Sequence, residues 1–152
     1  MSRMQDNRLE RSIPHALTRL FREQNRYFAR CVDALGVSVE QAHILGVLFE
    51  RGPLTMTDLG REVSLSSGTL SAAVDRMEAI RLVRRRASTS DRRAVLVEPT
   101  WPAPKREALM TALFDAEEVF LAPLSRKERE MLRGLLDRLF EGVARSARSR
   151  AP

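Results

Sequence analysis

Arginine side chains are the most concentrated source of chemistry in this chain. Six of them fall within residues 81–93, around a short polar turn. A guanidinium stays charged and offers a planar set of N–H donors that matches phosphate oxygens, so such a cluster suits a polyanion. The chain holds 26 Lys and Arg against 20 Asp and Glu, a net charge of +6, and the excess falls largely in this cluster. This pattern favours binding of nucleic-acid phosphate.

Small polar residues lie just ahead of the arginines. Residues 65–80 combine a serine-rich start with apolar side chains at the i, i+3, i+4, i+7 spacing of an amphipathic helix: Leu70, Ala73, Val74, Met77 and Ile80. After this helix, 82–84 and 94–97 read as two short strands joined through 87–91. A helix followed by a basic hairpin is the layout of a winged helix-turn-helix, in which the helix enters the major groove and the wing contacts phosphates or the minor groove.

Other chemistry finds little support in the sequence. His15 and His43 are isolated, and no Cys or carboxylate cluster has the spacing of metal ligands, so we predict no metal site and no cofactor. Nucleophile elbow, P-loop and dinucleotide motifs are absent from the sequence, and we predict no catalytic residues and no enzyme. Cys31 is the single cysteine, which excludes an internal disulfide framework. With no apolar run of transmembrane length and a polar start, we expect a cytoplasmic protein without a membrane partner.

The elements that must position these residues can be traced along the chain. Ser12 with Pro14 starts a first helix that Gly36 ends, and Ser38 with Gln41 forms a capping box for a second. A third, short helix is expected from Leu54 through 63, a long one over about 105–121, and a last one capped by Ser125. We therefore predict a mainly α fold with a small β-hairpin wing, as one domain over 1–152. The winged helix-turn-helix covers 38–98, with the wing at about 82–98, and 12–36 and 105–149 are helices for dimerisation.

This order of elements resembles the MarR family of bacterial transcriptional regulators. The motifs that carry the resemblance are 38–41 with Ile44-Leu45, 54–59, 66–71 with 74–78, Leu82-Val83, and above all Asp91-Arg92-Arg93. The resemblance implies a homodimer on palindromic double-stranded DNA. It also implies a repressor, released when a small aromatic or anionic ligand binds at residues that the sequence leaves unassigned.

The resemblance also implies roles for particular residues. Ser66 becomes the cap of the recognition helix, with its first turns in the major groove, and Arg92 or Arg93 becomes the wing residue that reaches the minor groove. Asp91 either bridges to a wing arginine or is an ordinary turn former. The Ala72 side chain has no hydrogen-bond donor, so we expect DNA sequence specificity to depend on groove shape and on the wing. The full candidate set for DNA binding is Ser66, Ser67, Gly68, Thr69, Ser71, Arg76, Arg84, Arg86, Asp91, Arg92 and Arg93.

Two positions depart from the family pattern. Arg81 stands where relatives usually carry a glycine after the recognition helix, so the exit from that helix must be built differently or strained. Residues 99–103 replace the usual Leu-Thr-x-x-Gly after the wing, which leaves the path into the next helix open. Trp101 in this linker is expected to close the core.

Cys31 raises an alternative function, because the serine-glycine-threonine-leucine run also resembles the organic-hydroperoxide-sensing branch of the family. The reactive cysteine of that branch lies near the start of helix 1, whereas Cys31 lies close to its end, on the stripe of Phe28 and Leu35. We expect a buried structural thiol, with Tyr27 facing another direction.

The sequence is thus compatible with three functions. The first is a homodimeric regulator released by a ligand. The second is a thiol-based peroxide sensor that uses Cys31. The third is a dimeric interaction protein that has lost selective DNA reading, which Ala72 favours and the arginine wing opposes.

Overall fold

The computed structural model describes residues 11–88 and 94–149, the side chains of 147–149 excepted. Within them the chain forms six α-helices, one 3-10 helix and a three-stranded sheet, which confirms the predicted fold class. The helices are α1 Ile13–Val32, α2 Val39–Arg51, α3 Met56–Val63, α4 Ser67–Ala79, α5 Ala103–Leu121 and α6 Arg126–Ser149, with the 3-10 helix at Asp33–Leu35. The strands are β1 Leu54–Thr55, β2 Val83–Ala87 and β3 Val95–Pro99.

The helix starts follow the capping signals of the sequence. Ser38 Oγ accepts a hydrogen bond from the Gln41 amide at 3.2 Å, and the Gln41 side chain accepts one from the Ser38 amide at 2.9 Å. Ser12 caps α1 and Ser125 caps α6. Each cap satisfies an amide that the helix itself leaves without a partner, which confirms these three predicted starts.

Strand β1 corrects the predicted start of the third helix. Leu54 and Thr55 do not belong to that helix; they pair antiparallel with β3, Leu54 opposite Val97 and Thr55 opposite Leu96, in a sheet of order β1-β3-β2. The helix begins at Met56, and Thr55 Oγ1 caps it by accepting from the Asp58 amide at 3.1 Å. Two residues are too few to show strand periodicity, and their partner lies far along the chain, so the local sequence could not reveal this pairing.

The hydrophobic core lies in the first of two compact units, Met1–Ala116 and Glu117–Pro152. Burial of apolar surface from helices and sheet holds this unit together. Its largest fully buried side chains are Ile44, Leu45, Leu48, Leu59, Leu70, Met77, Leu109, Val32, Val74, Val83 and Val97. Trp101 is half-buried and packs against this cluster, so its predicted role in closing the core is confirmed.

Large apolar side chains also lie exposed on three helices, with Phe114 and Val119 on α5. On α1 they are Ile13, Leu17, Leu20 and Phe21, and on α6 they are Met131, Leu135, Leu136, Leu139, Phe140 and Val143. Contiguous exposed apolar surface marks interaction sites more often than single exposed side chains do. Among the described residues no single helix is long and apolar enough to cross a membrane, and one bent pair, Ile13–Leu35 with Val39–Arg51, meets that test only jointly.

Candidate nucleic-acid interface

The start of α4 presents small polar groups to solvent. Ser66 caps the helix as predicted, since its Oγ accepts from the Thr69 amide at 3.3 Å. Its Oγ also lies 2.8 Å from Thr69 Oγ1, so the two hydroxyls share a hydrogen bond. Ser66, Ser67, Gly68 and Thr69 are exposed, whereas Ser71 is half-buried. A helix N-terminus whose first turn carries no bulky side chain can approach an anion closely.

Farther along α4, the outward residues offer few donors. Ala72 is exposed, as the sequence indicated, and adds no hydrogen-bonding group. The predicted DNA-binding residue Arg76 is exposed, but its Nη2 lies 3.3 Å from Glu40 Oε1 of α2. The opposite face of α4 is buried through Leu70, Ala73, Val74 and Met77. The helix is thus fixed in the core by one face while its start stays open.

The wing divides three consecutive arginines between its two faces. Side chains alternate along a strand, so Arg84 and Arg86 lie on one face of β2 and Arg85 on the other. Glu98 of β3 stands opposite Arg84 and accepts from Nε of both Arg84 and Arg86, one with each carboxylate oxygen. These two hydrogen bonds hold the pKa of Glu98 below its usual range. The two predicted DNA-binding arginines of the strand therefore share one carboxylate.

Arg85 joins the wing to the candidate recognition helix. Its Nη1 lies 2.5 Å from Glu78 Oε2 and its Nη2 2.6 Å from Asp75 Oδ1, both on α4. Its backbone amide also donates to Glu78 Oε1 at 2.9 Å. The backbone and side-chain hydrogen bonds from Arg85 lower the pKa of Glu78. Planar guanidinium donors that engage two carboxylates one helical turn apart orient β2 relative to α4.

The exit from α4 is built on a left-handed arginine. Arg81 adopts φ 57°, in the left-handed region that glycine reaches without the cost of a Cβ. The Leu82 amide donates to the Met77 carbonyl at 2.8 Å and the Arg81 amide to the Glu78 carbonyl at 3.0 Å, which is the Schellman pattern of hydrogen bonds. The Thr100 hydroxyl donates to the Arg81 carbonyl. Of the two alternatives that the sequence left for this exit, the structure has the strained one, with a positive φ at Arg81 and the usual termination pattern.

Three of the predicted site residues, Asp91, Arg92 and Arg93, lie outside the described residues. The reasoning from sequence missed Arg85, Glu78 and Glu98, which organise the wing. Strand alternation in 83–87 could have separated Arg85 from its neighbours. The acidic residues of α4, however, become its partners only through tertiary packing.

At Cys31 and Tyr27 the structure differs from two predictions made from the sequence. Cys31 is half-buried, not buried. Tyr27 does not face another direction; it lies four residues before Cys31 on α1, so the two side chains share a face of the helix and Cys31 influences the pKa of Tyr27. Burial raises the pKa of Tyr27, and the neighbouring Cys31 side chain raises it further. In the described part of the chain, His, Cys, Asp and Glu form no group of three or more that could hold a metal ion.

A core-fixed helix after a tight turn, followed by a β-hairpin tied to it, defines a winged helix-turn-helix protein. Residues 37–95 match the family model of the MarR family. A probable transcriptional regulator from Pseudomonas aeruginosa is 33% identical with a TM-score of 0.75, over 86% of this chain and 98% of that chain. The chain belongs to the MarR family.

Two further proteins are similar to this chain. The organic hydroperoxide resistance transcriptional regulator of Bacillus subtilis is 32% identical over 93 residues, 61% of this chain and 63% of that protein. BpsR of Bordetella bronchiseptica, solved in work on regulation of its DNA binding by 6-hydroxynicotinic acid, has a TM-score of 0.72 at 20% identity, over 84% of this chain and 97% of that chain. At that identity the second similarity shows the fold alone.

Proposed function

We propose that this protein is a homodimeric, sequence-specific DNA-binding repressor that a small aromatic or anionic ligand releases from a palindromic operator. It is a binding protein and not an enzyme, and it acts in the cytoplasm, where its operator lies. The observation that carries the proposal is the junction of α4 and the wing. Arg85 of β2 forms ion pairs with Asp75 and Glu78 of α4. The exposed N-terminus of α4 and the strand face that carries Arg84 and Arg86 therefore belong to connected elements.

The proposed division of labour follows from the residue types. Ser67, Gly68 and Thr69 at the start of α4 enter the major groove, where small polar side chains approach base edges and phosphates. Arg84 and Arg86 contact backbone phosphates, which adds affinity without sequence selection. Arg92 or Arg93 reaches the minor groove, as the family resemblance implies. The exposed start of α4 lacks a strong base-reading donor, and Arg76 farther along is paired with Glu40, so groove shape contributes to specificity.

Dimerisation is supported by the apolar faces of α1 and α6, which a second copy would remove from water. A twofold dimer places two recognition helices about 34 Å apart, one turn of DNA, on a palindromic site. Release by a ligand is supported by family membership and by BpsR, whose DNA binding responds to a small aromatic acid.

Fluorescence anisotropy with the chain's own upstream DNA and with a scrambled duplex tests the proposal. Thr69→Ala is expected to cost roughly 1–3 kcal/mol on the operator and to leave scrambled DNA unaffected, because it removes a base-edge contact. Thr111→Ala, an exposed threonine of α5, is the matched control and should change neither. Equal affinity of the wild type for both duplexes would instead favour an interaction protein without selective DNA reading.

The peroxide-sensor alternative is supported by the Bacillus subtilis relative and by the position of Tyr27 one helical turn from Cys31. We favour a structural thiol, since Cys31 lies at the end of α1 and is only half-exposed. Peroxide is then expected to leave operator binding of the wild type and of Cys31→Ser unchanged. Release of the wild type but not of the variant would assign the switch to Cys31.

A further inference from the structure

The outer face of the wing carries a compact charge cluster of Arg84, Glu98 and Arg86. Register places Arg84 directly opposite Glu98, and Arg86 lies two residues along the same strand, about 7 Å away. The Glu98 carboxylate receives one Nε–H from each arginine. Its side chain is 12% exposed, whereas those of Arg84 and Arg86 are 67% and 39% exposed. The anion is therefore enclosed by two cations that face solvent.

This geometry limits how the two arginines can bind a phosphate. A guanidinium has five N–H donors, and the Nε–H is already engaged by Glu98 in both residues. Within the residues that the structure describes, the terminal η nitrogens of both arginines make no hydrogen bond and remain for an external anion, but the cluster of Arg84, Glu98 and Arg86 carries one net positive charge instead of two. A phosphate that approaches Arg84 or Arg86 must compete with a carboxylate already in place.

We propose that Glu98 is an internal counter-ion of the wing. It weakens the contact between the wing and DNA backbone phosphate and makes the affinity of that contact less dependent on salt. The inference rests on the proposed DNA-binding function and adds a determinant of affinity to it. Phosphate contacts release condensed counter-ions, so each additional neutralised phosphate steepens the log–log dependence of affinity on salt by about 0.9. An arginine pair already half-neutralised by Glu98 releases fewer ions than a free pair. Because phosphates carry no sequence information, operator and scrambled DNA should be affected by the same factor.

Glu98→Gln tests this directly, because glutamine keeps the size of the side chain and removes its charge. We expect it to bind scrambled duplex several-fold more tightly at low salt, with a salt dependence steeper by about 0.9. Glu50→Gln, which removes an exposed carboxylate of α2 and raises net charge equally, is the matched control and should change affinity less than twofold. Glu98→Asp keeps the charge and is expected to stay close to the wild type.

A second experiment tests whether Glu98 changes DNA affinity through Arg84 and Arg86. If Glu98 acts through its two partners, Glu98→Gln should be silent in the Arg84→Gln, Arg86→Gln background. Thermal unfolding of each variant reports whether the wing remains folded. Weaker binding by Glu98→Gln, the same effect as Glu50→Gln, or an effect that survives in the double-arginine background would overturn the inference alone. If neither the wild type nor Glu98→Gln binds any duplex at low salt, the proposed function fails with it.

Discussion

At the scale of single residues, three adjacent arginines in β2 have different roles because a strand turns successive side chains to opposite faces. Arg84 and Arg86 point to the outer face and share Glu98, while Arg85 reaches α4. Composition alone would treat them as one basic run. An arginine in this wing is therefore defined by its carboxylate partner as much as by its own charge.

Glu78 gives the Arg85 junction a measurable pH dependence. Its pKa is lowered from 4.5 by hydrogen bonds from Arg85. A carboxylate whose folded pKa lies below its unfolded value contributes stability above the unfolded value and loses it as pH falls through the folded one. We expect Glu78→Gln to have a lower Tm than the wild type at pH 7, with the difference shrinking as pH falls below about 4.5.

The control for this expectation is Arg85→Ala. In that background the guanidinium is gone but the backbone amide of residue 85 still donates to Glu78, so Glu78→Gln should keep the part of its effect that comes from the backbone hydrogen bond and lose the rest. Thermal unfolding followed by circular dichroism between pH 3 and pH 7 measures both. A Tm difference that persists unchanged at the acidic end would show that Glu78 does not act through an ion pair with Arg85.

At the scale of elements, the turn between α4 and β2 ends the candidate recognition helix with an arginine in the left-handed conformation instead of a glycine. A residue with a Cβ in the left-handed conformation costs about 1–2 kcal/mol, which a glycine would remove. Glycine also gives the unfolded chain more conformational freedom, and this offsets part of the gain. We expect Arg81→Gly to stabilise the protein by about 0.5–1 kcal/mol. The hydrogen bonds around Arg81 use only its backbone and should persist.

Chemical denaturation of Arg81→Gly beside Arg81→Ala measures this. Alanine removes the same side chain but keeps the Cβ, so it should bring no stabilisation. Equal unfolding free energies for the glycine and alanine variants would mean that the positive φ carries no strain. A gain in both would assign the effect to removal of the arginine charge instead.

At the scale of the whole molecule, the exposed apolar residues of α6 determine the expected assembly. Phe140 is 64% exposed in the single chain. We expect Phe140→Glu to convert a micromolar dimer into a monomer, because an unpaired charge buried in an apolar interface is strongly unfavourable. Arg138→Glu, which places a carboxylate at an exposed polar position of the same helix, should leave the dimer intact. Sedimentation velocity distinguishes them, and a dimer of Phe140→Glu would exclude this face of α6 as the interface.

The features that the sequence determined are local, and the features that only the tertiary structure determined are contacts between distant residues. The sequence by itself determined the helices apart from the start of α3, and the caps at Ser38 and Ser66, because capping and hydrophobic periodicity are local properties. It placed the wing strands at 82–84 and 94–97, whereas they span Val83–Ala87 and Val95–Pro99. The order of its motifs indicated the family. The hypothesis for Ser67–Thr69 followed from the same local motif. Only the tertiary structure decided what pairs with what: β1 with Val97, Arg85 with Glu78, and Arg84 and Arg86 with Glu98. These partners meet through strand register and helix packing, which no short stretch of sequence encodes.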